Sequence, residues 1–132
     1  MTIEQARPPV ILVIEDVEET RRGIERLLAT GGYRVSTAEG EEEAVLKAHL
    51  QAPDLILISL DLDVARLVAL GRRVRDRSGL PEEIPVVIFC VAGLEEGAEV
   101  DAGSNVHLTR PDNFDQLRAF LIRLLERPSG VG

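Results

Sequence analysis

The sequence predicts an α/β domain built on a parallel sheet with helices on both faces. Four short runs, which are apolar or nearly so and rich in β-branched residues, each stop abruptly at polar residues; they span 10–14, 55–58, 86–89 and 106–109. Runs of this kind are typical of strands buried on both faces of a parallel sheet. Segments with helical spacing separate them. Alternating strands and helices imply parallel pairs joined by right-handed crossovers.

The elements before the third strand follow this alternation. Residues 16–29 carry Ile24, Leu27 and Leu28 at helical spacing, and a pair of glycines closes the segment, as is common where helices end. Gly23 lies inside this predicted helix and costs it roughly 1 kcal/mol relative to alanine. A short second strand is predicted over 33–37, followed by a helix over 41–50.

The second half of the chain contains two more predicted helices and one weak segment. Leu67, Leu70 and Val74 mark a third helix, whose arginines are predicted to form a solvated face. The last helix follows Pro111 and directs four apolar side chains inward: Phe114, Leu117, Leu121 and Leu124. Between them, residues 93–105 contain three glycines and few large apolar residues. We expect a fourth helix there to be short, irregular or mobile, because short helices are marginal in water.

Composition limits the possible functions. The 132 residues suit one domain, predicted over 9–127 with flexible tails at 1–8 and 128–132, and a hydrophobic content of 45% excludes disorder. The net charge of −8 argues against nucleic-acid binding. A single cysteine excludes an internal disulfide and makes a cytoplasmic location the default. No apolar run approaches the length of a membrane span, so no membrane contact is expected.

The residues that follow the strands are the candidate site. Ligands of open α/β sheets bind beyond the carboxyl ends of the strands, so side chains at these ends should come together. The first strand ends at Glu15 and Asp16, and the third is followed by Ser59 and Asp61. The last two strands stop at Cys90 and Arg110, respectively. The set is similar to a magnesium and phosphate site in which several parts have been exchanged.

Several segments, in their order, carry a resemblance to a known family. They are Ile11–Asp16, Ala38–Ala44, Pro53–Ile58, Ile84–Val87, Ala102–Gly103 and Arg110–Pro111. In this order they resemble the receiver domain of bacterial two-component response regulators over nearly the whole chain. The resemblance implies a flavodoxin-like fold with five parallel strands in the order 2-1-3-4-5. It also implies a cis peptide bond before Pro111.

The functional positions depart from the family pattern. The resemblance places the phosphoacceptor aspartate at Ser59, a threonine or serine at Cys90, a lysine at Arg110 and an aromatic switch residue at His107. Only the acidic pair of Glu15 and Asp16 keeps its usual form. A serine supplies neither the anionic nucleophile nor the carboxylate ligand that phosphoryl transfer through magnesium requires.

We therefore expect a degenerate receiver, or pseudo-receiver, that is not an enzyme and has no catalytic residues. Magnesium binding at Glu15 and Asp16 should be weak or absent. Arg110 has lost the acceptor carboxylate as its partner, so we expect its guanidinium to lie close to Glu15 or Asp16. Cys90 is more simply a small buried side chain than a redox sensor.

Two alternatives remain open at this stage. In the first, a working phosphorelay receiver is phosphorylated at Asp61, with Mg²⁺ on Glu15 and Asp16. Ser59 and Asp61 would share a face if the third strand continued for two more residues. In the second, the chain is an unrelated flavodoxin-like domain that binds a nucleotide or flavin. The second has little support, because no glycine-rich phosphate loop follows the first strand.

The last helix predicts a partner surface. Phe120, Ile122 and Leu125 add apolar residues beyond the inward stripe, and such a helix should be covered on a second side. In the family, the fourth helix, fifth strand and fifth helix form the usual contact face. We expect these three residues and His107 to lie near a homodimer or hetero-partner contact there. A sensor kinase or a downstream effector would be the protein partner.

Overall fold

The computed structural model describes residues 7–89 and 93–126. Within these residues the chain forms six strands and four helices that largely alternate. In chain order they are β1 (Val10–Ile14), α1 (Glu18–Thr30), β2 (Arg34–Ala38), α2 (Glu41–Leu50), β3 (Leu55–Ile58), α3 (Val64–Arg77), β4 (Val86–Phe89), β5 (Glu99–Asp101), β6 (Val106–Thr109) and α4 (Phe114–Glu126). None of the helices in this described part is long and apolar enough to cross a membrane.

The predicted α/β class with a central parallel sheet is confirmed. The strand order is β2-β1-β3-β4-β6-β5, and the first five strands of this order run parallel. These five have the order expected from the family resemblance. The sixth, β5, pairs antiparallel with β6 and adds an edge strand that the sequence did not predict.

The segment expected to hold a fourth helix forms β5 instead. No helix occurs over residues 93–105, all of which are described. The Arg110 N–H donates to the Ala98 carbonyl at 3.0 Å, and the Ala102 N–H donates to the Val106 carbonyl at 2.8 Å. Gly103, Ser104 and Asn105 make the turn with positive φ. The glycines weaken a helix, and pairing with β6 satisfies backbone groups that a weak helix would leave to water.

Side chains alternate between two cores on opposite faces of the sheet. Leu12 and Ile14 of β1 pack with α2 and α3, whereas Ile11 and Val13 pack with α1 and α4. The central strands β1, β3 and β4 are almost completely buried. This explains why their sequences are apolar at every position, and why chemistry is confined to the residues that follow them.

A buried arginine connects α3 to the turn before β6. Arg75 is only 6% exposed. Its Nη1 donates to the Ile84 carbonyl at 3.0 Å and the Asn105 carbonyl at 3.4 Å, and its Nη2 donates to the Ser104 carbonyl at 2.6 Å. Burial lowers the pKa of this guanidinium. Its contacts hold two of the three positive-φ residues of the turn, Ser104 and Asn105, in place.

The arginines of α3 are exposed, as the sequence predicted, except for the buried Arg75, and two of the exposed ones also pair with acidic residues. Arg73 and Arg77 lie 3.0 and 2.9 Å from carboxylate oxygens of Glu41 in α2, and Arg77 also lies 2.8 Å from Glu42. Hydrogen bonds from Arg73 and Arg77 lower the pKa of Glu41. The network joins two neighbouring helices, and these charges are therefore paired within the chain.

Two helical glycines provide a matched test of packing. A Cβ on Gly71 of α3 would lie 2.6 Å from Cγ1 of Val86, whereas a Cβ on Gly23 of α1 meets nothing within 4 Å. Gly71→Ala should therefore destabilise the fold by about 1–3 kcal/mol through overpacking. Gly23→Ala should stabilise it by about 0.5–1 kcal/mol. Urea denaturation measures both, and equal effects of the two substitutions would refute the close α3–β4 contact.

The α2–α3 network predicts a pH dependence. The pKa of Glu41 is lower in the folded state, so its stabilising contribution is present at neutral pH and is lost as pH falls through that lowered pKa. The difference in unfolding free energy between wild type and Glu41→Gln should be largest at neutral pH and should vanish in acid. Chemical denaturation over a pH series measures it. Glu126→Gln serves as the control, and a pH-independent difference for Glu41→Gln would contradict the prediction.

Candidate functional site

The carboxyl ends of β1, β3 and β6 surround a cavity of about 540 Å³. Pairing of Ile14 with Ile58 brings the ends of β1 and β3 side by side. The polar residues that line the cavity are Glu15, Asp16, Ser59, Asp61, Thr109 and Arg110. The structure thus brings together all the predicted site residues of the strand ends that lie within its described part. Cys90 lies outside the described residues.

A hydrogen bond between Ser59 and Glu15 forms the centre of the site. The Ser59 Oγ–H donates to Oε1 of Glu15 at 2.7 Å, and the Val17 N–H donates to Oε2 at 3.0 Å. Glu15 is only 4% exposed. Each of its carboxylate oxygens therefore already accepts a hydrogen bond from the chain. The Ser59 side chain therefore contributes a neutral hydrogen-bond donor, and no negative charge, beside Glu15.

Asp16 and Asp61 are exposed at the cavity and make no hydrogen bond or ion pair with any described residue. The third strand ends at Ile58, as predicted, so the two-residue extension under which Asp61 would share a face with Ser59 does not occur. The chain must leave the sheet there, since α3 begins at Val64 with Asp63 as its N-cap, accepting from the Arg66 N–H at 2.9 Å. Asp61 still lines the cavity, from the turn between the two elements.

The predicted contact of Arg110 with the acidic pair is wrong. Its Nη1 donates to the Leu94 carbonyl at 2.8 Å, and no ion pair within 4.0 Å joins it to Glu15 or Asp16. The physical reason is the pairing of β5 with β6. The Gly97 N–H donates to the Arg110 carbonyl at 2.6 Å, which draws the chain before β5 towards Arg110 and supplies a nearby acceptor.

The bond before Pro111 is trans, which corrects the predicted cis bond. Trans is the more stable form of an ordinary X–Pro bond by about 0.5–1 kcal/mol. The backbone of Arg110 is fixed by its hydrogen bonds to Gly97 and Ala98, which directly precede β5, a strand that the sequence did not predict. The cis bond that the family resemblance implies is therefore not found at this turn.

Two features of the cavity were missed from the sequence. Thr109 is buried at the end of β6, and its Oγ1 donates to the Ala98 carbonyl at 3.2 Å. Its position as the last residue of a predicted strand was the sequence signal that could have identified Thr109 as a cavity residue. The other half of the cavity lining is apolar: Val17, Leu60, Leu62, Leu67, Phe89 and Pro111. Only the tertiary structure gathers these residues, which come from five separate segments of the chain.

Most of the predicted interface residues belong to the core. Phe120 is 6% exposed; its ring makes an edge contact with His107 at 5.9 Å between centroids, and the Arg123 guanidinium lies over it at 5.4 Å. His107 is buried, with Nε2 2.8 Å from Oδ1 of Asn105. Leu125 is partly buried against the same core. Ile122 alone of the three predicted helix residues is an exposed large hydrophobic side chain, at 38%.

Magnesium is the ion that the family resemblance implies for this site. Magnesium requires near-octahedral oxygen coordination and commonly uses carboxylates as protein ligands. Among the described residues no group of three or more metal-ligating side chains is placed to hold an ion. Both oxygens of Glu15 are also engaged, with Ser59 and Val17. The residues present therefore fit a magnesium site poorly.

The Ser59–Glu15 hydrogen bond predicts a stability difference. Ser59→Ala removes one of the two donors to a buried carboxylate and should cost about 1–3 kcal/mol of unfolding free energy. Ser78→Ala is the matched control, because the buried Ser78 Oγ has no hydrogen-bond partner in the described chain. That control should change stability by less than about 0.5 kcal/mol or increase it. Equal losses in urea denaturation would contradict the role assigned to Ser59.

Comparison with known proteins agrees with the fold. Residues 11–122 match the family model of the response regulator receiver domain. The chain is 31% identical over 119 residues to the transcriptional regulatory protein KdpE of Staphylococcus aureus, covering 89% of this chain and 49% of that protein. It is 33% identical over 124 residues to KdpE of Escherichia coli, covering 92% and 53%.

The chain thus spans about half the length of these curated relatives. A solved structure is also similar: the receiver domain of sensor histidine kinase PA1611 from Pseudomonas aeruginosa, which has a magnesium ion coordinated in its active-site cleft. The identity is 26% and the TM-score 0.68, with 91% of this chain and 99% of that chain covered. Because the family model matches most of the sequence and the fold agrees, the chain belongs to the response regulator receiver domain family.

Proposed function

We propose that this receiver domain is a signalling module that acts through protein–protein contacts without phosphorylation of an aspartate. The observation that carries the proposal is the 2.7 Å hydrogen bond from Ser59 to Glu15. It occupies the place that an acceptor carboxylate would need. We also propose that the domain has no independent catalytic activity and binds magnesium weakly.

The chemistry of the pocket supports this proposal. Phosphoryl transfer depends on positioning the nucleophile and on neutralising charge on the transferred group. Ser59 is neutral, and the carboxylate beside it is already bound by two donors. The Arg110 guanidinium, the cation nearest in role to the family lysine, donates through Nη1 to the Leu94 carbonyl. The pocket therefore lacks an anionic nucleophile at Ser59.

A second candidate is a working receiver phosphorylated at Asp61. The observation in its favour is that Asp61 lines the same cavity as Glu15 and Asp16 and has no partner among the described residues. Against it, Asp61 lies three residues beyond the end of β3, in an exposed turn, and the described residues form no three-ligand metal group. We therefore favour the first candidate.

The proposed partners are proteins, either a sensor kinase or a downstream effector. A homodimer is not part of the proposal, because Phe120 and Leu125 pack against the core and leave Ile122 as the exposed apolar residue of the predicted set. The contact face was predicted from the fourth helix, fifth strand and fifth helix of the family, and the corresponding segments here are β5, β6 and α4. Direct nucleic-acid binding by this domain is disfavoured by its charge of −8.

Incubation with acetyl phosphate and MgCl₂, followed by intact-mass measurement, tests the proposal. We expect no added phosphoryl group on the wild type. A hydroxylamine-labile adduct that disappears in Asp61→Asn would establish the second candidate. A stable adduct that disappears in Ser59→Ala would show that the serine itself accepts the phosphoryl group, and it would also overturn the proposal. Ser59→Asp, measured in parallel, shows whether the assay detects an acceptor in this fold.

Ser59→Asp should also change metal binding. A third carboxylate beside Glu15 and Asp16 should tighten Mg²⁺ binding by about tenfold or more, because magnesium prefers anionic oxygen ligands. Without Mg²⁺ the variant should be destabilised by repulsion between adjacent carboxylates, and Mg²⁺ should restore its stability. Ser59→Asn is the neutral control of nearly equal size. Equal Mg²⁺ affinity in the two variants, measured by calorimetry, would refute this assignment of the pocket.

A further inference from the structure

The cavity beyond the strand ends has features that phosphoryl transfer would not use. Its volume of about 540 Å³ lies within the range of about 300–1,000 Å³ typical of small-molecule sites. Of the twelve described residues that line it, six are apolar. An inorganic phosphate or a hydrated metal ion would make little use of such a lining.

Two exposed apolar side chains lie at this cavity. Val17 is 53% exposed and Leu62 is 39% exposed, and both line it. Val17 follows β1, whereas Leu62 lies between β3 and α3. Apolar side chains left in water beside a cavity gain free energy when a ligand covers them. The arrangement favours a ligand with an apolar body.

The charges that line the cavity indicate the sign of the ligand. Three carboxylates face one guanidinium. Glu15 already accepts two hydrogen bonds, and Arg110 already donates to a carbonyl. Asp16 and Asp61 are left without a partner among the described residues. The unused hydrogen-bonding capacity is therefore that of two exposed anionic acceptors, which favour a cation and repel an anion.

We propose that this cavity binds a small organic cation, with an apolar body against Val17 and Leu62 and an ammonium group at Asp16 and Asp61. The proposal rests on the proposed function, since it supplies an input for a receiver domain whose acceptor position holds Ser59. A bound ligand would contact residues that follow β1, β3 and β6. It would thereby connect three segments that meet only at this end of the sheet.

Three indole compounds of similar size test the sign of the charge: tryptamine, tryptophol and indole-3-propionate. Each is titrated into the ¹⁵N-labelled full chain at neutral pH, without phosphodonor, and followed by two-dimensional NMR. We expect tryptamine to bind at least fivefold more tightly than tryptophol and to perturb the amides of Asp16, Val17, Asp61 and Leu62. Indole-3-propionate should bind most weakly.

Variants separate the charge from the apolar contact. Asp61→Asn and Asp16→Asn should each weaken tryptamine binding about threefold to tenfold and leave tryptophol unchanged. Leu62→Asn should weaken the binding of all three compounds. Asp76→Asn is the control, because it removes one exposed carboxylate of α3 that does not line the cavity. The dispersion of each NMR spectrum shows whether the variant is folded.

Three outcomes would overturn the proposal: no amide perturbation at the cavity, equal or tighter binding of indole-3-propionate, or an equal loss of tryptamine affinity in Asp76→Asn and Asp61→Asn. Failure here is distinguishable from failure of the proposed function. The phosphorylation assay reports a change of mass, whereas this titration contains no phosphodonor. A phosphorylated Asp61 would refute the proposed function, and absent tryptamine binding would refute the ligand proposal alone.

Discussion

The alignment of β1 with β3 is the constraint on which the site depends. Ile14 pairs with Ile58, and the Ser59 N–H donates to the Ile14 carbonyl at 2.8 Å. This register places Glu15 and Ser59 side by side as the two strands leave the sheet. A shift of one residue would turn the apolar side chains of one strand to the wrong face, so the buried core fixes the register. The 2.7 Å contact between the Ser59 and Glu15 side chains is therefore set by the packing of the whole sheet, which extends far beyond the site itself.

The second determining contact is the pairing of β5 with β6. It turns a glycine-containing segment into an edge strand and provides carbonyl acceptors near the end of β6. Arg110 bonds to one of these acceptors and Thr109 to another. Arg110 and Thr109 are thus both engaged by carbonyls of the segment that leads into β5, a strand that the sequence did not predict. The Arg110 guanidinium in the pocket is held by a backbone carbonyl and forms no ion pair with Glu15 or Asp16.

These two contacts leave a pocket whose properties differ from those of a phosphate site. One carboxylate is buried and accepts one hydrogen bond on each oxygen, two are exposed without partners in the described chain, and half of the described lining residues are apolar. A signal that reaches this domain through the pocket must act on this combination of carboxylates and apolar side chains. Both proposals, the protein contacts and the organic cation, rest on the same idea. The sheet and helices keep the receiver architecture, while the residues at the strand ends serve a chemistry other than phosphoryl transfer.

The sequence by itself determined the α/β class, the positions of the parallel strands and the set of side chains at their carboxyl ends, because continuous burial leaves a clear apolar signal in each strand. Glu15, Asp16, Ser59, Asp61 and Arg110 were all placed at one site on that basis, and they do line one cavity. Periodicity did not predict β5, since three exposed residues at an edge carry no burial pattern. Only the tertiary structure decided which acceptor Arg110 uses, the trans geometry before Pro111 and the burial of Phe120. Each depends on contacts between segments distant in sequence, and a side chain with several available partners takes the one that the packed fold brings within reach.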